Sequence, residues 1–96
     1  MENEIYYGEI TGFDGSWSSG LATLYINGKP IHCENGQTVR SLEACFGNVI
    51  TKNHSVNIDA IMGEIIYFSL DFVGVLNGFT PERDWLETDN REAVLF

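Results

Sequence analysis

Positive charge is what this sequence has least of. Five Lys and Arg stand against fourteen Asp and Glu in 96 residues, a formal net charge of −9. Phosphate backbones are held by Lys and Arg that displace counterions, so so acidic a chain is repelled by bare nucleic acid. Long apolar runs are missing as well. No stretch approaches a membrane span, and the start MENEIYYGEI has neither the basic residues nor the apolar core of a signal peptide. The expectation is a cytoplasmic protein with no membrane partner.

The motifs of common chemistries are also lacking. Only two Cys and two His occur, His32, Cys33, Cys45 and His54, without the Cys-x-x-Cys or His-x-x-x-His spacing that presents zinc ligands in pairs. His32 and Cys33 are strand neighbours and point to opposite faces. Two reduced core cysteines are expected, with no metal and no cofactor. There is no Gly-x-Ser-x-Gly elbow and no phosphate loop, and neither cysteine has basic neighbours that would activate it. No catalytic residue is assigned, and the chain reads as a non-enzyme.

What is present is a globular composition: 44% hydrophobic and 12% aromatic residues, enough for one core. Leu21–Ile26, Asn27-Gly28 and Lys29–Cys33 form the strongest local pattern. Asn-Gly favours a two-residue type I′ turn, which sets Leu24 opposite Ile31 and Ala22 opposite Cys33 on one face. Val39, Leu42, Cys45 and Phe46 then recur at helical spacing within 38–46, and Gly47 suits the C-terminal cap. A second hairpin is expected over Gly63–Phe79 with its turn near Asp71–Gly74. Turns of two or four residues would both put Val75 on the face of Ile66, Phe68 and Leu70. Ile5–Phe13 supplies a first strand whose Gly8 and Gly12 permit sharp coiling, and Val56–Ala60 reads as a short extra strand. Thr80-Pro81-Glu82 starts a C-terminal helix through about Glu87, followed by the tail Ala93–Phe96.

In sum the chain is mostly β, with one short helix and a helical C-terminal tail, in the order β-β-β-α-β-β. That order matches the five-stranded OB-fold barrel, whose helix lies between strands three and four, and an SH3-like barrel is the alternative. The expected division is a barrel domain over 1–80 and a helical, apolar tail over 81–96 packing on it. In an OB arrangement the ligand face is the outside of strands two and three with two flanking loops. Here that face would carry Thr23, Tyr25 and His32, with Trp17 in the Gly12–Gly20 loop and Phe72 in the later turn. Trp17 either projects from its loop or folds over the barrel end.

The acids Glu82, Asp84, Glu87, Asp89 and Glu92 crowd the C-terminal segment as a candidate partner-facing cluster. The combination points to a protein-interaction module with a basic partner. One specific form is an inhibitor that occupies another protein's nucleic-acid-binding surface. An oligonucleotide or small-ligand module is the alternative, with a small hydrolase behind it. The apolar tail allows a monomer or a homodimer.

Overall fold

The computed structural model describes residues 4–15, 20–53, 55–88 and 92–96, with 86–88 by backbone alone. Its strands are β1 (Tyr6–Gly15), β2 (Leu21–Ile26), β3 (Lys29–Glu34), β4 (Ile65–Leu70), β5 (Leu76–Pro81) and β6 (Val94–Leu95). Helix α1 (Asn35–Phe46) separates β3 from β4, and α2 (Glu82–Thr88) follows β5. The strands form one mostly antiparallel sheet in the order β3-β2-β1-β4-β5, with β6 added parallel to β1. The sheet is not closed into a barrel. Among the described residues, an isolated parallel bridge joins its two edges, between His32 of β3 and Val75, just before β5.

The β2–β3 hairpin takes the expected register, with Leu24 opposite Ile31 and Ala22 opposite Cys33. Asn27 and Gly28 have φ of 54° and 78°, the left-handed pair that a type I′ turn requires. Strand alternation then sorts the residues: Ala22, Leu24, Ile26, Ile31 and Cys33 are buried, while Leu21 and His32 are exposed.

β1 is shared between two partners. Residues from Ile10 onward pair with β2, whereas Tyr6–Glu9 pair with β4. A bulge between Ile10 and Gly12 marks the change of partner. Gly8 allows the close approach there: a Cβ at that position would lie 2.4 Å from Ile26 Cγ2. The core forms where these strands and α1 converge, with Ile10, Leu24, Ile26, Leu42, Val49, Ile61, Ile66 and Phe68 fully enclosed.

Four local expectations are corrected. α1 starts three residues early because the Glu34 carboxylate accepts the free amides of Gly36 and Gln37, at 3.2 and 2.5 Å. Its buried side is Thr38 and Leu42, with Val39, Cys45 and Phe46 half-buried. Val56–Ala60 is not a strand. Val56 makes one bridge to Ile50, Ile58–Ala60 turns as a 3₁₀ helix, and the segment packs Val56, Ile58 and Ala60 on the core.

The β4–β5 turn has odd length. Asp71 pairs with Val75 through a backbone bond of 2.8 Å, and Leu70 lies opposite Leu76, so Val75 leaves the face of Leu70. Finally, Pro81 ends β5 opposite Ile66 instead of opening α2. An edge strand tolerates a residue without an N–H.

The tail folds back on the sheet. Val94 N–H donates to Ile5 O and Phe96 N–H to Tyr7 O, at 2.8 and 2.9 Å. The Phe96 ring meets Tyr6 and Phe68 edge-on, with centroids 5.4 and 5.2 Å away. Across the molecule, α2 sets Trp85 on the outer side of β4, against Tyr67.

Candidate functional site

The outer side of β1–β3 is built in cross-strand rows. Asp14, Thr23 and His32 form one row, Leu21 and Glu34 a second, and Gly12, Tyr25 and Pro30 a third. The bridge from His32 extends the first row to Val75. At about 4.8 Å between neighbouring strands, the row runs roughly 14 Å from Asp14 to Val75. No Lys or Arg stands in these rows. Lys29 falls on the opposite parity, with Ile31 and Cys33. Its ammonium donates to Phe96 O at 2.6 Å and lies 5.4 Å from that ring's centroid. The cation of this hairpin is therefore directed over the end of the core, away from the outer face.

The β4–β5 tip lies beside the first row. Asp71 organises it: one carboxylate oxygen accepts Val73 N–H at 3.0 Å and Val75 N–H at 2.9 Å. Gly74 N–H bonds Asp71 O at 3.0 Å, and Gly74 has φ 86°. This is the three-residue loop that ends in a left-handed residue and a bulge. It holds Phe72 99% exposed and Val73 65% exposed. Leaving a phenylalanine wholly in water forgoes about 1.5–3 kcal/mol of burial. Phe72 is three residues from Val75, within about 10 Å of chain from the His32 row.

Thr23 and Tyr25 are half-buried and His32 is exposed, so the structure brings these three together with Phe72's loop. Tyr25 also has a packing role, because its ring lies across Gly12. A Cβ at Gly12 would stand 3.3 Å from Tyr25 Cδ1. Trp17 lies outside the described residues, as does His54.

The C-terminal acids lie apart from these rows. Glu82 and Asp84 are exposed on α2, which packs on β4 and β5, and Glu92 is exposed before β6. Asp89 and the side chain of Glu87 fall outside the description. Other carboxylates hold the fold together: Glu34 caps α1, Glu43 accepts the amides of Val49 and Ile50, and Asp71 holds the tip.

Sequence reasoning missed Asp14, Val73 and the role of Asp71. The signal for the tip was present in Asp71-Phe72-Val73-Gly74, an Asp three residues before a glycine that takes positive φ.

A concavity of about 120 Å³ lies between the start of α1 and β5, lined by Glu34, Gln37, Thr38, Ser41 and Leu76–Phe79. Thr38 there is hydrogen-bonded to Cys33, and every buried polar side-chain atom among the described residues has a partner. Both cysteines are free thiols, Cys33 enclosed and Cys45 half-buried. Burial pushes both thiols above their ordinary range. Among the described residues no three His, Cys, Asp or Glu side chains converge as metal ligands would. No described helix is long and apolar enough to cross a membrane. Comparison with protein-family models, curated proteins and solved structures finds no match to this chain.

Proposed function

We propose that this chain is a small acidic binding module that acts on another protein, through the outer face of β1–β3 and the adjoining β4–β5 tip. The observation that carries the proposal is the wholly exposed Phe72, fixed on a hydrogen-bonded turn beside a face without Lys or Arg. Contiguous exposed apolar side chains on a soluble chain mark interaction sites. A net charge of −9 favours a basic partner.

The proposed architecture is an open OB-like arrangement. It is supported by the β3-β2-β1-β4-β5 order, by α1 between β3 and β4, and by the parallel approach of β3 to β5. Within this reading, the partner's basic surface is one that otherwise holds nucleic acid. The acidity of the chain supports this reading, with Asp14 as the carboxylate of the face that would take a phosphate's place, and the module would inhibit by occupancy without catalysis.

The test is competition. A nucleic-acid-binding partner recovered on the immobilised chain should lose its oligonucleotide when the chain is added, and regain it with Phe72→Ser. Simultaneous binding of chain and oligonucleotide would sink the inhibitor form.

Tyr25, His32 and Phe72 on one face favour a second reading, direct binding of single-stranded nucleic acid by stacking. It requires measurable anisotropy changes with labelled oligonucleotides at low salt, lost in Tyr25→Ala.

A further inference from the structure

We infer that Phe72 is the anchor of this surface and that the partner receives it in an apolar socket rimmed by Lys or Arg. The inference rests on the binding-module reading and specifies the partner's side of it.

Three features carry it. First, the tip is held before any partner arrives. Asp71 accepts two amides of its own loop and Gly74 supplies the left-handed residue, so little conformational freedom is left for binding to remove. A ring presented on such a turn has the form of a hot-spot residue, aromatic and ready to be fully desolvated. Second, the surroundings of the ring are apolar and then acidic. Val73, 65% exposed, supplies further apolar surface. Asp14 stands in the row that ends at Val75. Third, the one cation of the β2–β3 hairpin is withdrawn to Phe96.

A socket with an acidic rim would meet like charge across the contact, and a basic rim meets complementary charge. The same charge argues against a second copy of this chain as the occupant, and against an anionic bilayer.

The experiment uses the full chain carrying benzoylphenylalanine in place of Phe72 or, separately, of His32. Each is irradiated in extract of the source cells, and the adducts are identified. The adducted protein is then purified, and its affinity for unmodified chain, Phe72→Ser and His32→Ala is measured across a salt series.

The expected result is one protein adducted from position 72. Its affinity should fall tenfold or more in Phe72→Ser, fall less in His32→Ala, and weaken steadily with added salt. Phe72→Ser should keep the parent melting temperature, since the ring touches nothing it would destabilise.

A partner captured from position 32 whose affinity ignores Phe72→Ser would overturn the anchor and leave the module reading standing. Affinity independent of salt would overturn the basic rim. Absence of protein adducts at both positions would overturn the module reading with it. Co-sedimentation of the parent with phosphatidylcholine/phosphatidylglycerol vesicles, lost in Phe72→Ser, would replace the protein with a membrane.

Discussion

The indole of Trp85 lies flat on the ring of Tyr67, centroids 4.6 Å apart and planes within 2° of parallel. Tyr67 in turn stacks on Tyr7 at 5.4 Å. α2 is too short to persist by itself, and this stack ties it to β4 and β1. Trp85→Ala should cost about 3–5 kcal/mol, as for other buried Trp truncations. Urea titration would measure it. A loss under about 1 kcal/mol would mean that the stack does not hold α2.

At Gly8 the backbone of β1 passes so close to β2 that an added methyl would overlap Ile26 and Asn27. Ile26 is fully buried and cannot swing away. Gly8→Ala is expected to lower stability by about 1–3 kcal/mol. Gly20→Ala, where a Cβ meets nothing within 4 Å, serves as the comparison and should stay near the parent. Thermal melts of the two variants decide the matter.

Asp71 is predicted to be a positioning residue for the tip. Removing its carboxylate in Asp71→Ala strips an acceptor from Val73 and Val75 N–H, each bond contributing about 1 kcal/mol. Amide exchange at Val73 and Val75 should accelerate about fivefold or more, while the amides of β2 and β3 keep their protection. Unchanged exchange at the tip would show that Gly74 alone suffices.

The thiols give a pH signature. Burial raises Cys33 most, aided by Glu34 and opposed by its hydrogen bond to Thr38; burial also raises Cys45, with Asp84 aiding and Arg83 opposing. A folded-state value above the unfolded 9.0 means that this contribution is whole below about pH 9. It is then lost as pH climbs toward the folded value. Unfolding free energy should therefore decline above about pH 9, less steeply in Cys33→Ala. With a disulfide reagent at pH 8, half-buried Cys45 should react about tenfold faster than Cys33 or more. Equal rates would contradict the enclosure of Cys33.

The legible parts of this molecule were those where two local signals agreed. In the first hairpin the Asn27-Gly28 turn and the Ala22/Leu24/Ile31/Cys33 alternation demanded one register, and that register is observed. In the second, Gly74 fitted several turns, and alternation alone could not choose. The Asp71 carboxylate selects the odd loop and reverses the parity of Val75. Likewise Glu34 is an uncommon cap, so the first turn of α1 looked like loop.

Of the candidate face, Thr23, Tyr25 and His32 were visible because they share one hairpin. The approach of Val75, and with it Phe72, joins residues far apart in the chain, which no local pattern encodes. Asp14 was hidden for the same reason: its place depends on the register of β1 against β2.

The divided allegiance of β1 has a consequence for the chain as it leaves the ribosome. The half from Ile10 onward finds β2 almost at once, but Tyr6 must wait for Phe68 to be made. Through that interval Tyr6–Glu9 is an open edge that another nascent chain could join. Glu4 and Glu9 flank the two tyrosines, and Gly8 weakens the segment as a free strand. The glycine that lets the finished sheet close up thus also guards the unfinished one against its neighbours.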